Sequence, residues 1–124
     1  MSDQGDKRTT YAMTEESAIS QISQANRLFN RGKHLLEAYF CGDIKLRYKE
    51  KAIELLTEHM TNSKFYARTI ENYLFAGERV KSEKDGEDNI IIPAEDFTII
   101  NTYLVVVASC ENELECLGIS MREH

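Results

Sequence analysis

Pro93 is the only proline in 124 residues, and only six glycines accompany it. Proline and glycine are the residues that stop regular elements and make turns. A chain so poor in them has few means of making the many tight reversals of a sandwich or barrel. It is built for a few long elements, and long elements at this length are helices. The length suits one domain, large enough to bury roughly two-thirds of its unfolded surface without a metal or disulfide staple. Apolar residues at 42% and charged residues at 29% are those of a globular chain.

Apolar spacing fills in the elements. Thr14 stands before Glu15 and Glu16, an N-cap followed by acids at the positive end of a helix dipole. Ala18, Ile19, Ile22, Ala25, Leu28 and Phe29, then Leu35, Leu36, Tyr39 and Phe40, are spaced mainly at three and four, which predicts an amphipathic first helix. Gly32 interrupts it, so either close packing excuses the glycine or a turn falls at 30–32. Gly42 closes the segment, with Asp43 as the next cap. A second helix is expected from about 44 to 60 on a stripe of Tyr48, Ala52, Leu55 and Leu56 that continues into His59 or Met60. Thr61, Asn62 and Ser63 are cap residues, so a third helix is expected beyond them; the alternative is one long helix over 44–80, bent at that cluster. Residues 81–89 are charged and lack any apolar side chain.

Pro93, Glu95 and Asp96 form a helix first turn, with proline at N1. Beyond them β-branched residues favour a strand, while Ile99, Tyr103, Val106, Cys110, Leu114 and Leu117 form a stripe at helical spacing. The helix over 94–117, ended by Gly118, is preferred. The expected fold is therefore all-α, a three- to four-helix bundle. The alternative is α+β with a hairpin from residues 90–108. The expected organisation is a flexible arm at 1–13 and one helical domain at 14–124 carrying the charged loop. Residues 25–81 resemble the helical hairpins of tetratricopeptide-like and MIT-like domains in style, with no recurring period.

Charge narrows the function classes. The 21 acids and 15 bases leave a net charge of −6, a poor default for binding nucleic acid. The distribution is uneven: residues 27–51 hold seven bases against three acids, and 78–98 hold seven acids against three bases. A basic patch of Arg27, Arg31, Lys45, Arg47 and Lys49 is expected if the two helix faces meet, with an acidic side elsewhere. Cys41, Cys110 and Cys116 are an odd, sparse set without CxxC, which reads as reduced thiols in a cytosol. The polar start lacks the apolar core of a secretion signal, and no apolar run approaches the roughly 20 residues of a membrane span. A soluble cytoplasmic protein is expected.

No motif points to catalysis. Ser-elbow, phosphate-loop and dinucleotide-loop patterns are missing. Arg27 and His34 are spaced as in the loose ribonuclease motif of HEPN domains, but Leu28 stands where that motif has a polar residue. His34 with Glu37, and Glu54 and Glu58 beside His59, have metal-ligand spacing but read as solvated helix faces. No catalytic residue, metal or cofactor is assigned.

The aromatic load is the most suggestive feature. Phe40 adjoins Cys41, and Phe65 adjoins Tyr66, so neither pair can point wholly inward on a helix. Tyr39, Phe40, Phe65 and Tyr66 are the candidate protein-binding residues. The functional expectation is a small protein–protein interaction module, an adaptor, regulator or inhibitor subunit, binding a protein partner or a second copy of itself. The alternative is a nucleic-acid-associated subunit using residues 27–51.

Overall fold

A computed structural model describes residues 10–42, 44–84 and 86–121. The order is β1 (Thr10–Thr14), α1 (Glu15–Phe40), α2 (Leu46–Ala76), β2 (Arg79–Lys81), β3 (Asp88–Pro93) and α3 (Ala94–Cys116). The chain is mostly helical, with one small antiparallel sheet ordered β1-β3-β2. Helix α2 is the spine: α1 and α3 both pack along it and barely approach each other. Both run antiparallel to α2: Gly32 lies beside Met60 and Gln21 meets Tyr66 on one side, and Glu111 meets His59 and Tyr103 meets Phe65 on the other.

Several local expectations meet the structure directly. The Thr14 hydroxyl accepts from the Ser17 N–H at 3.0 Å and caps α1. Gly32 does not break α1, because a Cβ there would lie 2.7 Å from Met60 Cγ; close packing is what the glycine permits. Gly42 takes φ +93°, the left-handed conformation that ends helices. Asp43, the expected next cap, lies outside the described residues; α2 is capped by Lys45, with no side-chain cap bond. Gly118, at φ +83°, ends α3. The Ile119 N–H reaches the Leu114 carbonyl, and the Gly118 N–H that of Glu115, both at 2.9 Å. That is a Schellman closure, and Leu114 and Ile119 share one core cluster.

Three expectations need correction. Residues 61–63 do not end a helix, and α2 runs unbroken for 31 residues. The Asn62 amide donates back to the Glu58 carbonyl at 2.8 Å, and Ser63 is buried. Cap-type side chains can bond inside their own helix, so their presence alone does not stop it. Second, the all-α expectation lacks a sheet: residues 90–92 are a strand, while the preferred helix over 94–117 is present and the alternative hairpin with 97–108 is not. The partners of β3 are 10–14 and 79–81, with Tyr11 opposite Ile92 and Arg79 opposite Ile90. The helical stripe wins over β-branched propensity in 94–116 because both faces of a strand there would be apolar. Third, residues 10–13 of the expected arm are strand β1; residues 1–9 lie outside the described residues. The charged segment 81–89 is the β2–β3 connection and the ends of its strands, with Asp85 outside the described residues.

The core falls into two clusters. The upper one joins Ala18, Ile22 and Ala25 of α1 with Tyr66, Ala67 and Ile70 of α2, Ile90 and Ile92 of β3, and Ile100 of α3. The two isoleucines point to the helices from alternate positions of the strand. The lower cluster joins Tyr39, Ala52, Leu55, Leu56, Cys110 and Leu114 with Ile119 and Met121 of the C-terminal tail.

Candidate functional site

Between the two clusters the buried stripe of α2 turns polar. Positions 52, 55, 56, 59, 63, 66, 67 and 70 form one inward face at helical spacing, and 59 and 63 are His and Ser. His59 is 0% exposed and Ser63 is 2% exposed. Nε2 of His59 lies 3.0 Å from Oε2 of Glu111, on α3. Facing a carboxylate, Nε2 is the donor. At the adjacent position of each helix, the Cys110 thiol lies 3.7 Å from Glu58 Oε1. Burial first, then the Glu58 charge, pushes that thiol up to about 11, so it is neutral at physiological pH.

Two buried polar atoms of this waist have no partner: Ser63 Oγ and His59 Nδ1. Each such atom costs a fold on the order of 1–3 kcal/mol. Above them α1 and α3 stand apart and leave a cleft of about 350 Å³. Ala25 and Leu28 of α1, Leu104 and Val107 of α3, and Ser63 of α2 line it, with Glu111 at its edge. At the neighbouring wall the Tyr66 hydroxyl donates to Gln21 Oε1 at 2.5 Å, and burial raises the Tyr66 pKa.

Ser63, His59 and Glu111 are the residue types of a nucleophile, base and orienting acid. No bond joins Ser63 to His59, and the hydroxyl is shielded within a helix. Among the described residues no group of three or more His, Cys, Asp or Glu side chains is placed to hold a metal ion.

The four candidate protein-binding residues do not form one face. Tyr39 and Tyr66 are core residues, one in each cluster. Phe40 is 62% exposed at the end of α1, with Lys49 Nζ 5.9 Å from its ring. Phe65 is 42% exposed and packs its ring 5.5 Å from that of Tyr103.

The five basic candidates split in two. Lys45, Arg47 and Lys49 crowd the first turn of α2, where no acid is present. Arg47 bonds to the Tyr48 hydroxyl at 3.2 Å. Arg31 lies nine residues before the end of α1, about 14 Å back along the axis, and Arg27 a turn further. Arg31 is committed elsewhere: it donates to the Ser120 carbonyl at 3.1 Å. Nor are the charged segments on opposite sides throughout. Lys51 lies 3.9 Å from Glu113, so the acidic end of α3 sits beside the basic start of α2.

Sequence reasoning passed over Ser63, read as a cap, and Glu111, which it did not single out. The available signal was register: 59 and 63 continue the buried stripe of α2. The chain matches no protein family, curated protein or solved structure with which it was compared. Among the described residues no helix is long and apolar enough to cross a membrane.

Proposed function

We propose that the chain is a small protein–protein interaction module, of the adaptor, regulator or inhibitor kind, that works as a homo-oligomer. One observation carries this reading. From Phe97 to Cys110 α3 holds no charged residue, yet Val105 on its outer side is 66% exposed and Ile99 is 45% exposed. A helix without charge on either side, and with large apolar groups exposed on its outer one, is normally covered on both. The occupant we assign is a second copy. The outer row, Thr98, Thr102, Val105 and Ser109, offers no charge with which to select a charged partner, and small uncharged residues suit a two-fold self-contact. On this reading the three helices act as a bundle with α2 at its centre and α3 presented outward, in place of the expected aromatic face. The three free thiols support a reducing, cytoplasmic setting.

Light scattering on a sizing column tests it. A dimer is expected at tens of micromolar, and Val105→Glu is expected to give a monomer with an unchanged unfolding transition. A wild-type chain that elutes as a monomer at that concentration overturns the reading. A second reading, a nucleic-acid-associated subunit, rests on Lys45, Arg47 and Lys49 crowding the start of α2. A raised 260 to 280 nm absorbance ratio in the same eluate, lost on reversing those three charges, would favour it.

A further inference from the structure

We infer that the cleft between α1 and α3 binds a small primary amine, an ammonium group on an apolar body. Its volume of about 350 Å³ lies in the range of small-molecule sites. Ala25 and Leu28 face Leu104 and Val107 across the cleft, and Gln21, Gln24 and Tyr66 also line it. Gln21 and Tyr66 bond to each other; two further polar residues, Ser63 and Glu111, bear on the cleft. Ser63 is 98% buried and its hydroxyl has no partner. Among the described residues Glu111 is the only charged side chain lining the cleft. Its Oε2 accepts from His59 Nε2 at 3.0 Å, which orients the carboxylate; no described residue occupies Oε1.

This set selects by sign and by hydrogen-bond type. A carboxylate with no lysine or arginine in the same cleft rejects an anion. It gains a charge-assisted bond from an ammonium. The remaining N–H groups are left to the Gln24 amide oxygen and to solvent at the open edge. A neutral alcohol of equal shape fills the same walls but forms only the weaker, uncharged bond to Glu111. The site is separate from the outer row of α3 that we assign to self-association, since Leu104 and Val107 lie on flanks away from Val105.

Phenethylamine, phenethyl alcohol and hydrocinnamate share one ring and chain and differ only in the head group. Each is titrated into the full isotope-labelled chain, with backbone amide shifts as the readout. Phenethylamine is expected to shift the amides of Ser63, Leu104 and Glu111 saturably. The alcohol should bind at least about tenfold more weakly, and hydrocinnamate should leave those amides in place. Glu111→Gln keeps an acceptor for His59 and should cut amine affinity by about tenfold or more. Leu104→Trp, at a partly exposed wall position, fills the cleft and should abolish saturable shifts even if the Glu111 variant fails to fold. Equal affinity for amine and alcohol overturns the inference. So does a shift that maps to exposed acids such as Glu15, or none into the millimolar range.

Discussion

The upper and lower clusters of the core use the same three helices but are closed by different devices. The upper cluster is sealed by a strand: β3 hydrogen-bonds on both edges, to β1 and to β2, and presents Ile90 and Ile92 inward. The lower cluster is sealed by a tail. Ile119 and Met121 turn into the core after the Schellman closure and are fixed by the Arg31 bond to Ser120. A strand shares its load among ladder bonds, whereas a tail depends on a few side chains. The polar waist lies where neither seal reaches.

The largest effects should come from truncation within each cluster. Ile92 and Leu56 are both fully buried, and Ile92→Ala or Leu56→Ala should each cost about 2–5 kcal/mol. Their patterns should differ. Ile92→Ala should speed amide exchange in β1 as well as β3, because β3 is the only strand that β1 pairs with. Leu56→Ala should speed exchange in 117–121 and leave the sheet slow. Equal loss everywhere would mean one cooperative unit, and the contrast between seals would fail.

The two clusters also have unequal arginine clamps. Arg79 donates to the carbonyls of Tyr73, Leu74 and Gly77 and to Glu15, so it terminates α2 and ties it to the start of α1. Arg31 has one such acceptor, and its Nε is buried without a partner. Arg79→Ala should therefore cost about 1.5–3 kcal/mol and Arg31→Ala nearer 1 kcal/mol. Chemical denaturation of both variants checks the order, and a larger loss at Arg31 would reverse it.

Alkaline titration should separate the clusters again. Below, burial and then Glu58 raise Cys110 from 9.0 to about 11. Above, burial and then the hydrogen bond to Asp96 raise Tyr73 from 10.0 to about 12. Both groups prefer their neutral form more strongly when folded. The unfolded chain loses these protons first, so the contribution of these two groups is constant below about pH 9 and falls as pH rises. The Cys110 contribution is lost between about 9 and 11 and the Tyr73 contribution between about 10 and 12. Cys110→Ala should remove the earlier part of the fall and Tyr73→Phe the later part. An unchanged pH profile in both variants would remove these groups as its cause.

How much of this was legible follows from range. The lower cluster is built from helix stripes and a glycine stop, all local patterns, and Leu55, Leu56, Cys110, Leu114 and Gly118 stand where spacing placed them. The upper cluster needed a sheet whose partners, Tyr11 and Ile92, are far apart in sequence. The pairing involves no tight hairpin signature, and β1 and β2 are short and polar enough to pass for loops. The waist was half legible: the α2 stripe reached His59 as an alternative to Met60, while Ser63, a turn further on, is a polar type that composition sends to the surface and that reads as a cap.

The smallest effect concerns a charge arrangement that works against the fold. Lys45, Arg47 and Lys49 sit at the positive end of the α2 dipole, and the first turn contains no acid. Cations there are unfavourable by about 0.3–1 kcal/mol each at low salt. Arg47→Glu exchanges repulsion for attraction and should raise stability by roughly 0.5–1 kcal/mol, less in high salt. The upper end of the molecule has no such reserve, since Glu15 and Glu16 already occupy the first turn of α1 and Glu95 and Asp96 that of α3. Matching reversals there, such as Glu16→Lys, should destabilise by a similar amount. If Arg47→Glu stabilises the fold and also leaves the eluate free of nucleic acid, the three bases are a binding device held at a cost to α2. If it stabilises with no change in any bound species, they are only an unoptimised helix start.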